Sequence, residues 1–161
     1  IKDNYRGIGI PAILLKIFEI ILIQKCSFLK QDGLQYGFTK GLCPQLATLV
    51  LTELICHAKV EKLTLVLATI DASKAFDIVD RDILMHELYQ QDTPAYLWQT
   101  IDQLYTGNSC KVIWNGCTSK DVPINQGTGQ GRSIAADMYK VYINPTIKKL
   151  RASEHGAKIG K

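Results

Sequence analysis

The sequence has no Cys-x-x-Cys pair, and its five cysteines (Cys26, Cys43, Cys56, Cys110, Cys117) are odd in number. A disulfide scaffold or zinc knuckle is therefore disfavoured, and a reduced intracellular setting (cytoplasm or nucleus, not secreted) is expected. Only three histidines occur, His57, His86 and His155, without a His-Glu-x-x-His pattern, so zinc catalysis has no basis. No signal peptide is read, since the first residue is Ile1 and no basic stretch leads into an apolar one. Repeats and Pro/Ser linkers are also missing, so 161 residues are expected to make one domain or a piece of one. What is present is globular in balance: 47% apolar and 21% charged, which sets aside disorder and low complexity.

The longest apolar run, residues 8–23, is broken by Lys16 and Glu19 and opened by Gly9 and Pro11. It is shorter than the roughly 20 residues a membrane span needs. Lys16 and Glu19, at i and i+3, can share one wet stripe. A mostly buried helix from Pro11 to about Leu29 is expected, with no membrane partner.

The net charge of +4 is uneven. Residues 1–60 carry 7 basic and 4 acidic groups, residues 61–105 carry 3 and 8, and residues 106–161 carry 9 and 3. An acidic middle between basic ends suits a cation site beside a polyanion channel.

Further along, Ala47, Val50, Leu51, Leu54 and Ala58 recur at helical spacing. Residues 63–70 (LTLVLATI) are uncharged and branched, and predict a fully buried central strand ending at Asp71. Its partner would be the far side of a later hairpin, or sequence absent from the chain. Asp82 is expected to cap a helix over 83–91, and a second helix follows over 95–105. Strands at 110–114 and 120–124 flank Asn115-Gly116, a hairpin turn signal. The glycine-dense loop 126–131 leads into a helix over about 134–150. The order is α+β.

Asp71 at the end of an apolar strand is either a turn-opening residue or a magnesium ligand, with a backbone carbonyl assisting. Asp77, Asp80 and Asp82 read as turn and cap residues. Gln126-Gly127-Thr128-Gly129-Gln130-Gly131-Arg132-Ser133 has the look of a phosphate-cradling loop. It fits neither the P-loop, because Gln126 stands where the first glycine belongs, nor G-x-G-x-x-G, because Arg132 replaces the last glycine.

Four segments, in order, resemble the reverse transcriptases of non-LTR (LINE-type) retrotransposons. Asn4-Tyr5-Arg6-Gly7-Ile8 is similar to the N-Y-R-[PG]-I opening of the fingers. Gln35-Tyr36-Gly37-Phe38-Thr39-Lys40-Gly41 is similar to Q-x-G-F-x-x-G. Residues 70–79 (IDASKAFDIV) resemble motif A. Gln130-Gly131, with Tyr142-Ile143-Asn144 twelve positions on, has the spacing of motif B.

The resemblance implies a right-hand polymerase, with fingers over about 1–62 and palm over about 63–161. The implied reaction is RNA-templated addition of dNTPs to a DNA primer by two-magnesium phosphoryl transfer. Asp71 would be catalytic and a Mg²⁺ ligand, with the Ala72 carbonyl assisting. Phe76 would exclude a 2′-hydroxyl by clash, Gln130 and Gly131 would line the nucleotide pocket, and Arg6 would reach the triphosphate. Lys40, Arg132, Lys140, Lys148 and Lys149 would follow template and primer phosphates.

The chain also departs from the family. Ile134-Ala135-Ala136-Asp137 stands where motif B continues L-S-P, and Thr39 and Leu42 stand where arginines are common. No Asp-Asp pair occurs, so the A-D-D of motif C is missing along with the thumb. The chain is expected to be an incomplete polymerase, inactive alone. The rival expectation is a decayed, non-catalytic remnant that at most binds nucleic acid.

Overall fold

The computed structural model describes residues 7–153 and 156. In chain order the elements are α1 (Ile13–Lys25), α2 (Pro44–Val60), α3 (Arg81–Gln90) and α4 (Ala95–Tyr105), four two-residue strands, and α5 (Ala135–Ala152). The strands are β1 (Ser109–Cys110), β2 (Ile113–Trp114), β3 (Cys117–Thr118) and β4 (Val122–Pro123). Helices with a small antiparallel sheet component make the chain α+β. Among the described residues no helix is long and apolar enough to cross a membrane.

The chain divides into two compact units: residues 1–30 with 74–142, and residues 31–73 with 143–161. The first unit holds the hydrophobic core. Leu84 and Leu88 of α3, Leu97, Ile101 and Tyr105 of α4, and Met138 and Val141 of α5 meet at three- and four-residue spacing. Leu22 and Cys26 from the end of α1, with Val79 and Ile134, complete it. Full burial of each large aliphatic contributes about 1.5–3 kcal/mol. The Trp98 indole N–H donates to the Met85 carbonyl (2.9 Å), fixing α4 on α3.

The Asn115-Gly116 turn forms as expected, but the strands expected over 110–114 and 120–124 are reduced to two separate two-residue pairs. Asn115 and Gly116 take positive φ (48° and 76°), as a type I′ turn requires, and β2 pairs β3 while β1 pairs β4. The cap of α3 is Asp80 rather than Asp82. The Asp80 carboxylate accepts from the Asp82 and Ile83 N–H groups, and Asp82 sits in the first turn instead. Placing the helix start two residues earlier makes Asp80 the residue whose oxygen reaches those N–H groups.

Two expectations fail. Residues 63–70 form no strand, and Leu63, Val66, Leu67 and Ile70 are exposed, Ile70 by 92%. A strand needs a lateral partner, and among the described residues β1 to β4 pair only with one another. Strand propensity without a ladder does not make a sheet. The palm reading therefore loses the structural support it was expected to have.

The second failure is α1, which is shorter than expected and not mostly buried. Ile13, Leu14, Ile17, Phe18, Ile20 and Ile21 are exposed, while Glu19 is fully buried. A wet stripe shared by Lys16 and Glu19 is thus wrong. Glu19 turns inward to pair with the largely covered Arg132 guanidinium.

The second unit is built differently. Along α2, Leu46, Leu49 and Val50 are exposed and only Ala58 is buried. Polar groups hold the loop before it: the Asp32 N–H donates to Asn144 Oδ1 (2.8 Å), and Arg151 bridges the Asp32 carboxylate at 3.3 Å.

Candidate nucleotide pocket

The candidate site grows from a turn in the first unit. The Asp77 and Ile78 N–H groups both donate to the Lys74 carbonyl (2.8 and 3.1 Å), so the chain folds back after Ala75. The glycine-dense loop then binds three carbonyls of this turn, those of Phe76, Ile78 and Val79. Thr128 N–H donates to Phe76 O (2.8 Å), Gly127 N–H to Val79 O (2.9 Å), and the Gln126 amide to Ile78 O (2.9 Å). Glycine is required at 127: its φ is +84°, and a Cβ would lie 2.8 Å from the Phe76 and Asp77 carbonyl oxygens.

A second contact holds the other end of the loop. Gly9 N–H donates to Gln130 O (2.8 Å), and a Cβ on Gly131 would collide with the Gly9 carbonyl. The loop is thus seated between the stretch before α1 and the turn at 76–79.

Charge locks the arrangement. Arg132 Nε donates to Glu19 Oε1 (2.7 Å), and Ser133 N–H donates to Glu19 Oε2 (2.8 Å), using both carboxylate oxygens. The Tyr105 ring has two guanidiniums within cation–π range, Arg132 Cζ at 4.9 Å and Arg81 Cζ at 5.2 Å from its centroid. Burial pushes the Tyr105 hydroxyl far above its ordinary value, more than the neighbouring arginine charges pull it down. Burial also lowers Arg81, which stays a cation because arginine starts so high.

The sequence-derived residues are distributed as follows. Phe76, Gln130 and Gly131 lie in the first unit. Phe76 is half-buried with its ring 5.3 Å from that of Tyr139, which in turn lies 6.5 Å from Tyr142. Asp71 and Ala72 are exposed and belong to the second unit. Among the described residues no group of three His, Cys, Asp or Glu could hold a metal ion. Lys40, Lys148 and Lys149 are exposed. Arg132 and Lys140 are not the free phosphate contacts expected of them: Arg132 is paired with Glu19, and buried Lys140 bridges Asp137 at 2.7 Å. Arg6 lies outside the described residues.

Sequence reasoning missed Glu19, Arg81 and Tyr105. The signal for Glu19 was there, as a lone acid in an apolar run with Lys16 three residues away. Its partner Arg132, 113 residues on, could not be read from spacing.

The loop that carries Gln130-Gly131 is therefore bonded directly to the turn that carries Phe76. The sequence matches the family model described as reverse transcriptase (RNA-dependent DNA polymerase) over residues 2–159, nearly the whole chain. The chain belongs to the reverse transcriptase family.

Proposed function

We propose that the chain supplies the fingers (about 1–62) and part of the palm (about 63–161) of a non-LTR (LINE-type) reverse transcriptase. The palm assignment now rests on motif order, since residues 63–70 form no central strand. The observation that carries the reading is the seating of the Gln130-Gly131 loop on the turn that presents Phe76. A nucleotide pocket needs these two segments at a fixed separation, with one holding backbone close to the substrate and the other screening its sugar.

In this reading Phe76 excludes the 2′-hydroxyl, Gln130 and Gly131 line the dNTP pocket, and Arg6 contacts the triphosphate. Lys40, Lys148 and Lys149 follow the phosphates of an RNA template and DNA primer. Arg132 and Lys140 serve inside the fold. Magnesium is the cofactor the reading calls for, and the described residues do not by themselves make its site, because Asp71 is exposed and without a carboxylate cluster. Asp71 is one ligand of several, so this chain alone is expected not to extend a primer.

A second reading, a non-catalytic remnant that binds nucleic acid, is favoured by one feature: Ala135-Ala136 in place of Ser-Pro. Ala135 is buried and Asp137 pairs with Lys140, so the departure is built into the start of α5. The discriminating assay is primer extension on RNA by this segment continued into an Ala-Asp-Asp strand. Phe76→Ala should raise NTP incorporation at least tenfold relative to dNTP. An unchanged ratio would remove Phe76 from the pocket, and a parent without activity would favour the remnant.

A further inference from the structure

Arg81 opens α3 two residues after the 70–79 segment, yet its side chain reaches away from that helix. Nε donates to Gly127 O (3.0 Å), Nη1 to both Tyr105 O and Ile124 O (2.8 Å each), and Nη2 to Gln126 O (3.3 Å). The four carbonyls come from three places: the last residue of α4, the exit of the hairpin, and the glycine loop. Tyr105 O belongs to a helix C-terminus, where the dipole favours a cation. No other residue type presents a rigid planar fork able to satisfy so many acceptors at once.

We propose that Arg81 is a positioning residue for the nucleotide pocket. Its guanidinium clasps residues 124–127 so that Gly127 and Thr128 stay bonded to Val79 O and Phe76 O, which sets the distance between Phe76 and Gln130-Gly131. The clasp stands on these bonds alone, whereas its consequence for substrate rests on the function proposed above. Lysine keeps the charge but cannot reproduce the fork, so Arg81→Lys separates geometry from electrostatics.

The test is amide hydrogen exchange on the full chain. Exchange reports local opening separately from global unfolding. In Arg81→Lys the Gly127 and Thr128 amides should exchange at least tenfold faster, while core amides of Ile101 and Met138 stay within about twofold of wild type. Gly127→Ala, which forces the same loop off its carbonyls with Arg81 intact, should open the same two amides. Uniform acceleration of every amide, or unchanged Gly127 and Thr128, would overturn the clasp.

A second readout separates the clasp from the pocket. In the primer-extension assay above, Arg81→Lys should raise the KM for dTTP at least tenfold with little change in kcat. Loosened amides with an unchanged KM would uphold the clasp and overturn the pocket reading. A raised KM with unchanged amides would overturn the clasp.

Discussion

The two units of this chain solve the problem of order by different means. The first buries a continuous apolar cluster and adds an inward-facing ion pair beneath its glycine loop. The second leaves most of its apolar residues exposed and is tied by hydrogen bonds and a bridge around Asp32. The segment 70–79 runs across both, with Asp71 in the second unit and Phe76 in the first. Packing therefore changes within a single ten-residue segment. Phe76, Gln130 and Gly131, the residues proposed to shape a pocket, lie in the first unit, whereas Asp71 is exposed and, among the described residues, belongs to no group of acids able to hold a metal.

Glu19 carries the largest expected effect. Replacing it by Ala leaves the Arg132 guanidinium and Ser133 N–H buried without their acceptor, so denaturant unfolding should show a loss of about 3–5 kcal/mol. Retained stability would mean the ion pair is not what holds the loop. Next comes a matched pair of leucines. Leu88→Ala, at a fully buried position, should cost about 2–5 kcal/mol, while Leu49→Ala on exposed α2 should change stability by less than about 0.5 kcal/mol. Equal effects would erase the distinction between the units.

Nucleic-acid binding sharpens the same contrast. Lys148 and Lys149 are exposed, so neutralising both should weaken RNA binding several-fold and lower its salt slope by about 2. An anisotropy titration with an unchanged slope would remove these lysines from the phosphate path.

The smallest effects are in pH. The Leu34 N–H, then Arg151, hold the Asp32 carboxyl below its ordinary value against the pull of desolvation. A depressed carboxylate stabilises above its unfolded value, and that stability is lost as pH falls through the folded one, so the second unit should loosen in acid. Tyr105 is raised, chiefly by burial, so its stabilisation is complete below the ordinary tyrosine value near 10 and falls as pH climbs beyond it. The first unit should therefore weaken in alkali. Asp32→Asn and Tyr105→Phe should each flatten one limb of a melting-temperature profile and leave the other.

Much of this was legible in the residues. Helix spacing announced α2, start and stop signals announced α4, Asn115-Gly116 announced the turn, and four motifs in order announced the family. The failures have a common cause, which is that partners distant in sequence decide burial. Residues 63–70 have strand chemistry but no ladder to join, and α1 has apolar chemistry but buries its one acid against Arg132. Arg81 was hidden for the same reason, because its acceptors lie 24 to 46 residues away and are backbone atoms that no sequence pattern marks.

The most direct test of the account is the dependence of RNA-templated synthesis on Asp71. The segment, continued into an Ala-Asp-Asp strand, is given a primed RNA, dNTPs and Mg²⁺, and compared with its Asp71→Asn variant. The account predicts primer extension by the parent and a loss of roughly a thousandfold or more in the variant, about 4 kcal/mol of transition-state stabilisation. Extension by Asp71→Asn at near-parental rate would contradict it.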